Sequence, residues 1–276
     1  MTDAEKAELK RKFDEDGYAL IPRLFDKNEV AALVAEVSSA PTNLEQSTLN
    51  QTGLLFREHM IPNSAFLRST LTSPKVLEIM TSIIEPDLWI RRDTAIIKRA
   101  GGEEFHWHQD NGYNKLLDPY VQFWIALTPM FDENGGVWLI PGSHKNGLLP
   151  HHMEGTHFVW DGKPQGQIPI TAEAGDVLVF SSYLLHRTGP NKTKDSRIAY
   201  LSEFISRKYF DPYSKPPFFM VSKNGAPDPR FTRFYEGNTS LWNYLKYIGP
   251  RTTRRYWILR GQLKRTLLEA VHYRGE

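Results

Sequence analysis

Cysteine is missing from all 276 positions, and that absence removes disulfides, thiolate catalysis, iron–sulfur clusters and cysteine-ligated zinc from consideration. Any metal chemistry must rest on histidine and carboxylate. Charge of one sign is also lacking: the formal net charge is only +2, which gives the whole molecule no strong reason to seek nucleic acid or an anionic membrane. No apolar run approaches the ~18 residues of a membrane span, and the opening stretch MTDAEKAELKRKF has no apolar signal core. The expectation from these absences is a soluble, cytoplasmic protein; a small-molecule substrate and a monomeric or weakly homo-oligomeric state are expectations that composition does not carry. Its 40% hydrophobic content suffices for a substantial core in one domain with appendages.

Helical signals come first. Residues 3–15 have helical composition, and Gly17 ends the pattern before a short strand, Tyr18-Ala19-Leu20-Ile21-Pro22. Asp26 and Glu29 have capping-box spacing, and Val30, Leu33, Val34 and Val37 recur at helical intervals. Residues 40–63 read as a turn-rich loop. Ser73 and Pro74 then offer an N-cap and an N1 proline for a helix through about Ile84. From Leu88 to Phe204, strands are expected at 88–99, 104–109, 120–128, 136–140, 167–170, 176–182 and 196–206. Gly, Pro and Asn punctuate them, the pattern of an antiparallel barrel or sandwich. Residues 143–166 carry His144, His151, His152 and His157 and read as a long insertion. The irregular spacing of those histidines argues for solvated or substrate-facing rings rather than zinc. Beyond 208 the chain is rich in Pro, Phe and Tyr, and 253–272 reads as a docked helix. Its Arg251, Arg254, Arg255, Arg260, Lys264 and Arg265 read as a solvated basic face or, alternatively, as a surface for an anionic partner or substrate tail.

The most informative stretch is FHWHQDNGY, Phe105 to Tyr113. On a β-strand, His106, His108 and Asp110 point to one face, and His108 and Asp110 lie roughly 6–7 Å apart along the backbone, close enough to lean toward one ion. A third ligand is offered by His186, which follows the apolar run Val177-Leu178-Val179-Phe180. His-x-Asp plus a distant His is the facial arrangement that leaves open positions on non-haem Fe(II), where an α-keto acid and O2 bind together. Such an enzyme needs a fixed cation for the distal carboxylate of 2-oxoglutarate, and Arg197, at the head of Arg197-Ile198-Ala199-Tyr200-Leu201, fits. Hairpin pairing across Gly189 to Asp195 is expected to bring it near His186. Lys98, on the preceding strand, is left without a role.

The segments DGYALIPRLF at 16–25, WHQDNGY at 107–113, FWIALTPMFDENGGVWLIPGSH at 123–144, AGDVLVFSSYLLHRTGPN at 174–191 and RIAYLSEF at 197–204 together resemble the phytanoyl-CoA dioxygenase (PhyH) family of Fe(II)/2-oxoglutarate oxygenases. The resemblance implies a mainly β chain with flanking helices around a double-stranded β-helix, or jelly-roll, core at about 15–206, within one domain over 1–276. It implies iron on His108, Asp110 and His186, the oxo-acid carboxylate on Arg197, and Thr188, Trp124 and Phe105 along the oxo-acid pocket. Asp110 implies a hydroxylating member rather than a halogenase. Two other readings remain. His106-x-His108-x-Asp110 also resembles the zinc signature of metallo-β-lactamase-fold hydrolases, although Asn111 stands where that signature needs His. A PhyH-like scaffold can also bind without turnover. His106 is expected behind the ligands or in the pocket wall. The segments 40–63 and 143–166 are candidate lids, and Trp107, Tyr113, Trp138 and Trp160 permit an apolar substrate.

Overall fold

A computed structural model describes residues 1–39, 53–154, 157–209 and 211–233. In chain order its elements begin with α1 (Asp3–Asp16), β1 (Tyr18–Ile21), α2 (Lys27–Ser39), β2 (Leu54–Glu58), α3 (Ala65–Leu71), α4 (Pro74–Ile83) and β3 (Leu88–Lys98). Next come β4 (Phe105–His108), α5 (Asn111–Asn114), β5 (Val121–Ala126), β6 (Val137–Leu139), β7 (His151–Glu154), β8 (His157–Trp160) and β9 (Ile168–Pro169). β10 (Val177–Ser181), β11 (His186–Thr188), β12 (Arg197–Ser206), β13 (Phe218–Lys223) and β14 (Ala226–Thr232) complete the described chain.

The local signals act as chemistry requires. Gly17 closes α1 with φ 82°, a conformation that costs a side-chain-bearing residue energy, and its N–H donates to the Phe13 carbonyl. At α2 the Asp26 carboxylate accepts from the N–H groups of Asn28 and Glu29, while Glu29 accepts from the Asp26 N–H. This reciprocal cap contributes about 1 kcal/mol. Ser73 stands before Pro74 as expected, but its hydroxyl makes no capping bond. Pro74 carries that end alone: its missing N–H is one of the orphans the cap would otherwise serve.

A larger antiparallel sheet runs β1-β10-β5-β12-β3-β13-β14, with β2 also paired to β3, and a smaller one runs β4-β11-β6-β9. Side chains alternate across each strand, so the larger sheet has two different faces. Phe123, Ile125, Val177, Val179, Tyr200 and Phe204 join one core with helix residues such as Leu33, Leu67, Val76 and Met80. Trp124, Leu178, Phe180, Ala199 and Leu201 turn the other way and pack with Val137 and Leu139 of the smaller sheet. The result is a jelly-roll sandwich with helices on its outer face.

Several expectations need correction. Residues 54–58 are a strand, β2, because Leu54 and Phe56 alternate inward on the open edge of β3; residues 40–52 lie outside the described chain. The insertion at 143–166 contains the hairpin β7–β8, registered from His151↔Trp160 to Glu154↔His157. After residue 208 the described chain forms the hairpin β13–β14, and the basic segment 251–265 lies outside the described residues. No helix among the described residues is long and apolar enough to cross a membrane.

Candidate metal centre

The inward face of the larger sheet is a ladder of cross-strand neighbours. Leu54, Lys98 and Arg197 form the first row, and Phe56, Ile96, Ala199 and Ala126 the second. Glu58, Thr94, Leu201, Trp124 and Leu178 form the third, and Arg92, Glu203, Gln122 and Phe180 the fourth. Cations stand at one end, apolar groups in the middle, and the polar groups Glu58, Arg92, Glu203 and Gln122 toward the other. The smaller sheet covers this ladder, and the two enclose a cavity of about 320 Å³.

His108 comes from β4 and His186 from the adjacent β11, where they are direct cross-strand partners. Their rings lie 4.2 Å apart between centroids. Each Nδ1 faces a backbone carbonyl, His106 O at 2.7 Å for His108 and Leu184 O at 3.0 Å for His186. A proton on Nδ1 satisfies that carbonyl and leaves the Nε2 lone pair free for a metal. Burial first, and then His108, push His186 down to about 4, which favours the neutral ligand form.

Asp110 reaches the same point from a different element than expected. The strand ends at His108, and Asp110 has helical angles, φ −56° and ψ −37°, at the start of α5. Its Oδ1 is 3.5 Å from His108 Nε2 and 3.6 Å from His186 Nε2, and the three ligand atoms all lie within 4.8 Å of one another. Two ligands about 2.1 Å from one ion stand at most about 4.2 Å apart, so both measured separations suit a shared ion. The other oxygen, Oδ2, accepts from Gln122 Nε2 at 2.6 Å. Burial alone would raise the Asp110 carboxyl; His186, His108 and Gln122 outweigh it and hold the group below the usual carboxylate range.

Arg197 is 1% exposed, with Nη2 donating to the Gly135 carbonyl at 3.2 Å and the Trp124 ring 5.2 Å from Cζ. Its Nε and Nη1 are buried and have no partner among the described residues. Burial lowers its pKa to about 10. Buried guanidiniums are normally paired, so two orphan nitrogens facing a cavity fit an anion such as a carboxylate. Lys98 lies behind it, with Nζ donating to Thr188 Oγ1 at 2.8 Å and Gly189 O at 2.5 Å. Gly135, at φ 81°, makes this packing possible: a Cβ there would stand 2.4 Å from Lys98 Cδ.

All seven residues expected at the site, His108, Asp110, His186, Arg197, Thr188, Trp124 and Phe105, line this cavity. The Phe105 ring packs edge-on against His108 at 4.7 Å. The route differs from expectation, because β11 and β12 belong to different sheets and do not form a hairpin. Arg197 meets His186 across the sandwich. The ring of His106 sits beside Glu104 at 3.3 Å and does not line the cavity; only its carbonyl serves the site. Of the insertion histidines, His157 alone lines it, while His151 accepts from the Gln109 N–H and His152 pairs with Asp161. Trp107 and Trp138 flank Arg187 outside, and neither they nor Trp160 reach the cavity; Tyr113 does. Sequence reasoning missed Gln122, Glu203, Arg92 and Glu58. A signal was present: Gln122 and Glu203 interrupt the apolar runs of two central strands, where a buried polar side chain needs a reason.

The profile of the phytanoyl-CoA dioxygenase (PhyH) family matches residues 13–199. The chain belongs to this family. Among relatives of the PhyH chain, dioxygenase af480 of Aspergillus fumigatus is 29% identical over 225 residues, covering 77% of this chain and 69% of that one. The apo structure of the non-heme monooxygenase ThoJ aligns with TM-score 0.68 at 20% identity, over 93% of this chain and 99% of that one. EvdO2 from Micromonospora carbonacea var. aurantiaca, in complex with 2-oxoglutarate, aligns with TM-score 0.62 at 21% identity, over 83% of this chain and 95% of that one. At such identities the structural likeness speaks to the PhyH-type fold.

Proposed function

We propose that the chain is an Fe(II)- and 2-oxoglutarate-dependent oxygenase that oxidises a C–H bond of a small organic molecule and releases succinate and CO2. One observation carries this reading: a single cavity holds three ligand atoms within 4.8 Å of one another and a buried guanidinium with two unbonded nitrogens. His108, Asp110 and His186 would hold iron, and a set of two imidazoles and one carboxylate would leave positions on it open for the oxo-acid and O2. Arg197 would take the distal carboxylate of 2-oxoglutarate through its free fork. Thr188, Trp124 and Phe105 would shape that end. Bound there, iron and the oxo-acid supply O2 activation and the electrons for oxidising the substrate. EvdO2, crystallised with 2-oxoglutarate, supports the cofactor choice.

The protein's own contribution is positioning and exclusion of water. Gln122 engages Asp110 Oδ2 and so directs Oδ1 toward the imidazoles. The hairpin β7–β8 covers one side, where His157 packs on Phe105 at 4.6 Å and Phe158 on Tyr113 at 5.1 Å. A cover of this kind keeps water from a reactive centre, which supports 143–166 as a lid.

The test is anaerobic titration of the metal-free chain with Fe(II) and 2-oxoglutarate. The expected result is the weak visible charge-transfer band of an oxo-acid chelated to iron, absent in Asp110→Ala at matched concentrations. Tight Zn(II) binding by wild type with no such band would overturn the reading and return attention to a hydrolase.

A further inference from the structure

With the oxo-acid assigned to Arg197, the opposite end of the same cavity is left for the substrate. That end is lined by Glu58, Arg92, Thr94, Tyr120 and Glu203, with Tyr113 at its side. Aromatic bulk is present, but the charged groups decide its character. Arg92 is already paired with Glu58, and Glu203 with Arg91, whose Nε also donates to Asp211 at 2.7 Å. Three carboxylates therefore face two guanidiniums, and the surplus is negative. Glu203 is 4% exposed, yet it is unevenly served. Oε2 carries the Arg91 bond, whereas the donor to Oε1 is Gln122 Nε2 at a long 3.4 Å. The amide oxygen of Gln122 beside it is buried and has no partner among the described residues. One acceptor without a donor and a carboxylate oxygen served only by a long bond, in a low-dielectric pocket, call for a donor from outside, and a surplus of negative charge favours one that is positive.

Resting on the oxygenase reading, we propose that the substrate is a small amine whose ammonium group is held by Glu203 at this end of the cavity. The geometry also limits which carbon is oxidised. Gln122 Nε2 contacts Asp110 Oδ2 at 2.6 Å and Glu203 Oε1 at 3.4 Å, so the two carboxylates stand two hydrogen-bond lengths apart. A nitrogen on Glu203 places carbons only a few bonds away from it beside the metal. Anionic head groups, acyl-CoA and phosphorylated molecules included, meet a repulsive end here, since Arg92 is engaged by Glu58.

The experiment uses the full chain loaded anaerobically with Fe(II) and 2-oxoglutarate, titrated with butylamine, butan-1-ol and butyrate as matched probes. Calorimetry is expected to give butylammonium a roughly ten-fold advantage over butan-1-ol, with butyrate weakest. Glu203→Gln keeps the shape and removes the charge, and is expected to bring amine and alcohol within about two-fold of each other. Arg92→Gln, at a side chain 39% exposed and tolerant of change, should strengthen amine binding several-fold. Best binding of butyrate, an amine preference that survives in folded Glu203→Gln, or unchanged or weaker amine binding in Arg92→Gln would overturn the proposal. Should Glu203→Gln not fold, Arg92→Gln decides alone. The titrations are repeated on the metal-free chain. An amine preference without a charge-transfer band sinks the oxygenase reading and spares the amine site; the band without the preference does the reverse.

Discussion

Arg91 and Arg197 are both arginines on central strands, both buried, and in opposite circumstances. Arg91 bonds Glu203 and Asp211 and lies 4.6 Å from the Tyr120 ring, so its charge is fully answered within the protein. Asp211 and Glu203 outweigh its burial and raise its pKa further above the ordinary arginine value. Arg197 has one carbonyl, two unbonded nitrogens and a pKa drawn down to about 10 by burial. Removing a cation from water is costly, and the fold recovers that cost at Arg91 but not at Arg197. A saturated buried charge indicates architecture; a half-saturated one facing a cavity indicates a ligand.

Replacing each by methionine should therefore have opposite consequences. Arg91→Met strands two buried carboxylates, and urea denaturation should register a loss of roughly 3–5 kcal/mol, the usual cost of breaking a buried pair. Arg197→Met removes an uncompensated charge, so the ligand-free chain should be no less stable than wild type. Its affinity for 2-oxoglutarate should instead fall by roughly 2–5 kcal/mol, read from the charge-transfer titration. If Arg197→Met destabilises the ligand-free chain as much as Arg91→Met does, the distinction between the two arginines collapses.

The pair also marks how far the sequence could be read. Arg197 was visible because it heads a strand at a recognisable distance from His186. Most strands from Leu88 to Ser206 were visible too, because alternation and turn residues are local signals, while β7, β8 and the short β11 were not. Arg91 was not. It is reached by a bulge: Arg92 pairs with Glu203 and Ile90 with Phe204, leaving Arg91 as the extra residue. Two consecutive side chains then reach carboxylates of the same cavity end, Arg91 to Glu203 and Arg92 to Glu58, which period-two reasoning forbids. Asp110 reaches the two histidines by a different local route than expected, since it lies in the first turn after β4 rather than on it. That Arg197 and His186 meet across two sheets depends on long-range pairing, which no local pattern carries.

Gln122 connects the two regions, through Asp110 on one side and Glu203 on the other. Gln122→Leu retains the volume and removes the donor that fixes the Asp110 carboxylate. Partners of metal ligands typically contribute 10- to 100-fold in affinity. Fe(II) affinity should fall by roughly that factor, with Gln122→Glu restoring none of it because a third carboxylate would face the other two. An unchanged metal affinity in Gln122→Leu would show that the ligands need no such support.

The smallest effect sharpens the comparison at the Arg197 end. Lys98 is fully buried beside Arg197, and burial first, then that arginine, lower its pKa to about 6. In the unfolded chain a lysine titrates near 10.4. Between about pH 6 and 10 the unfolded state therefore binds a proton that the folded state does not, and stability rises with pH across that window by at most about 1.4 kcal/mol per unit. The contribution is complete above the unfolded value and is lost as pH falls through about 6. Lys98→Met forfeits the bonds to Thr188 and Gly189, which shifts stability at every pH, but its diagnostic effect is on the slope. The wild-type curve should climb more steeply than the variant's from pH 6.5 to 9. A carboxylate bound on Arg197 supplies the missing negative charge, favours the ammonium form of Lys98, and should flatten the wild-type slope toward that of the variant. Equal slopes without ligand would mean that Lys98 keeps its proton in the folded chain and that the cationic end tolerates two unscreened charges side by side.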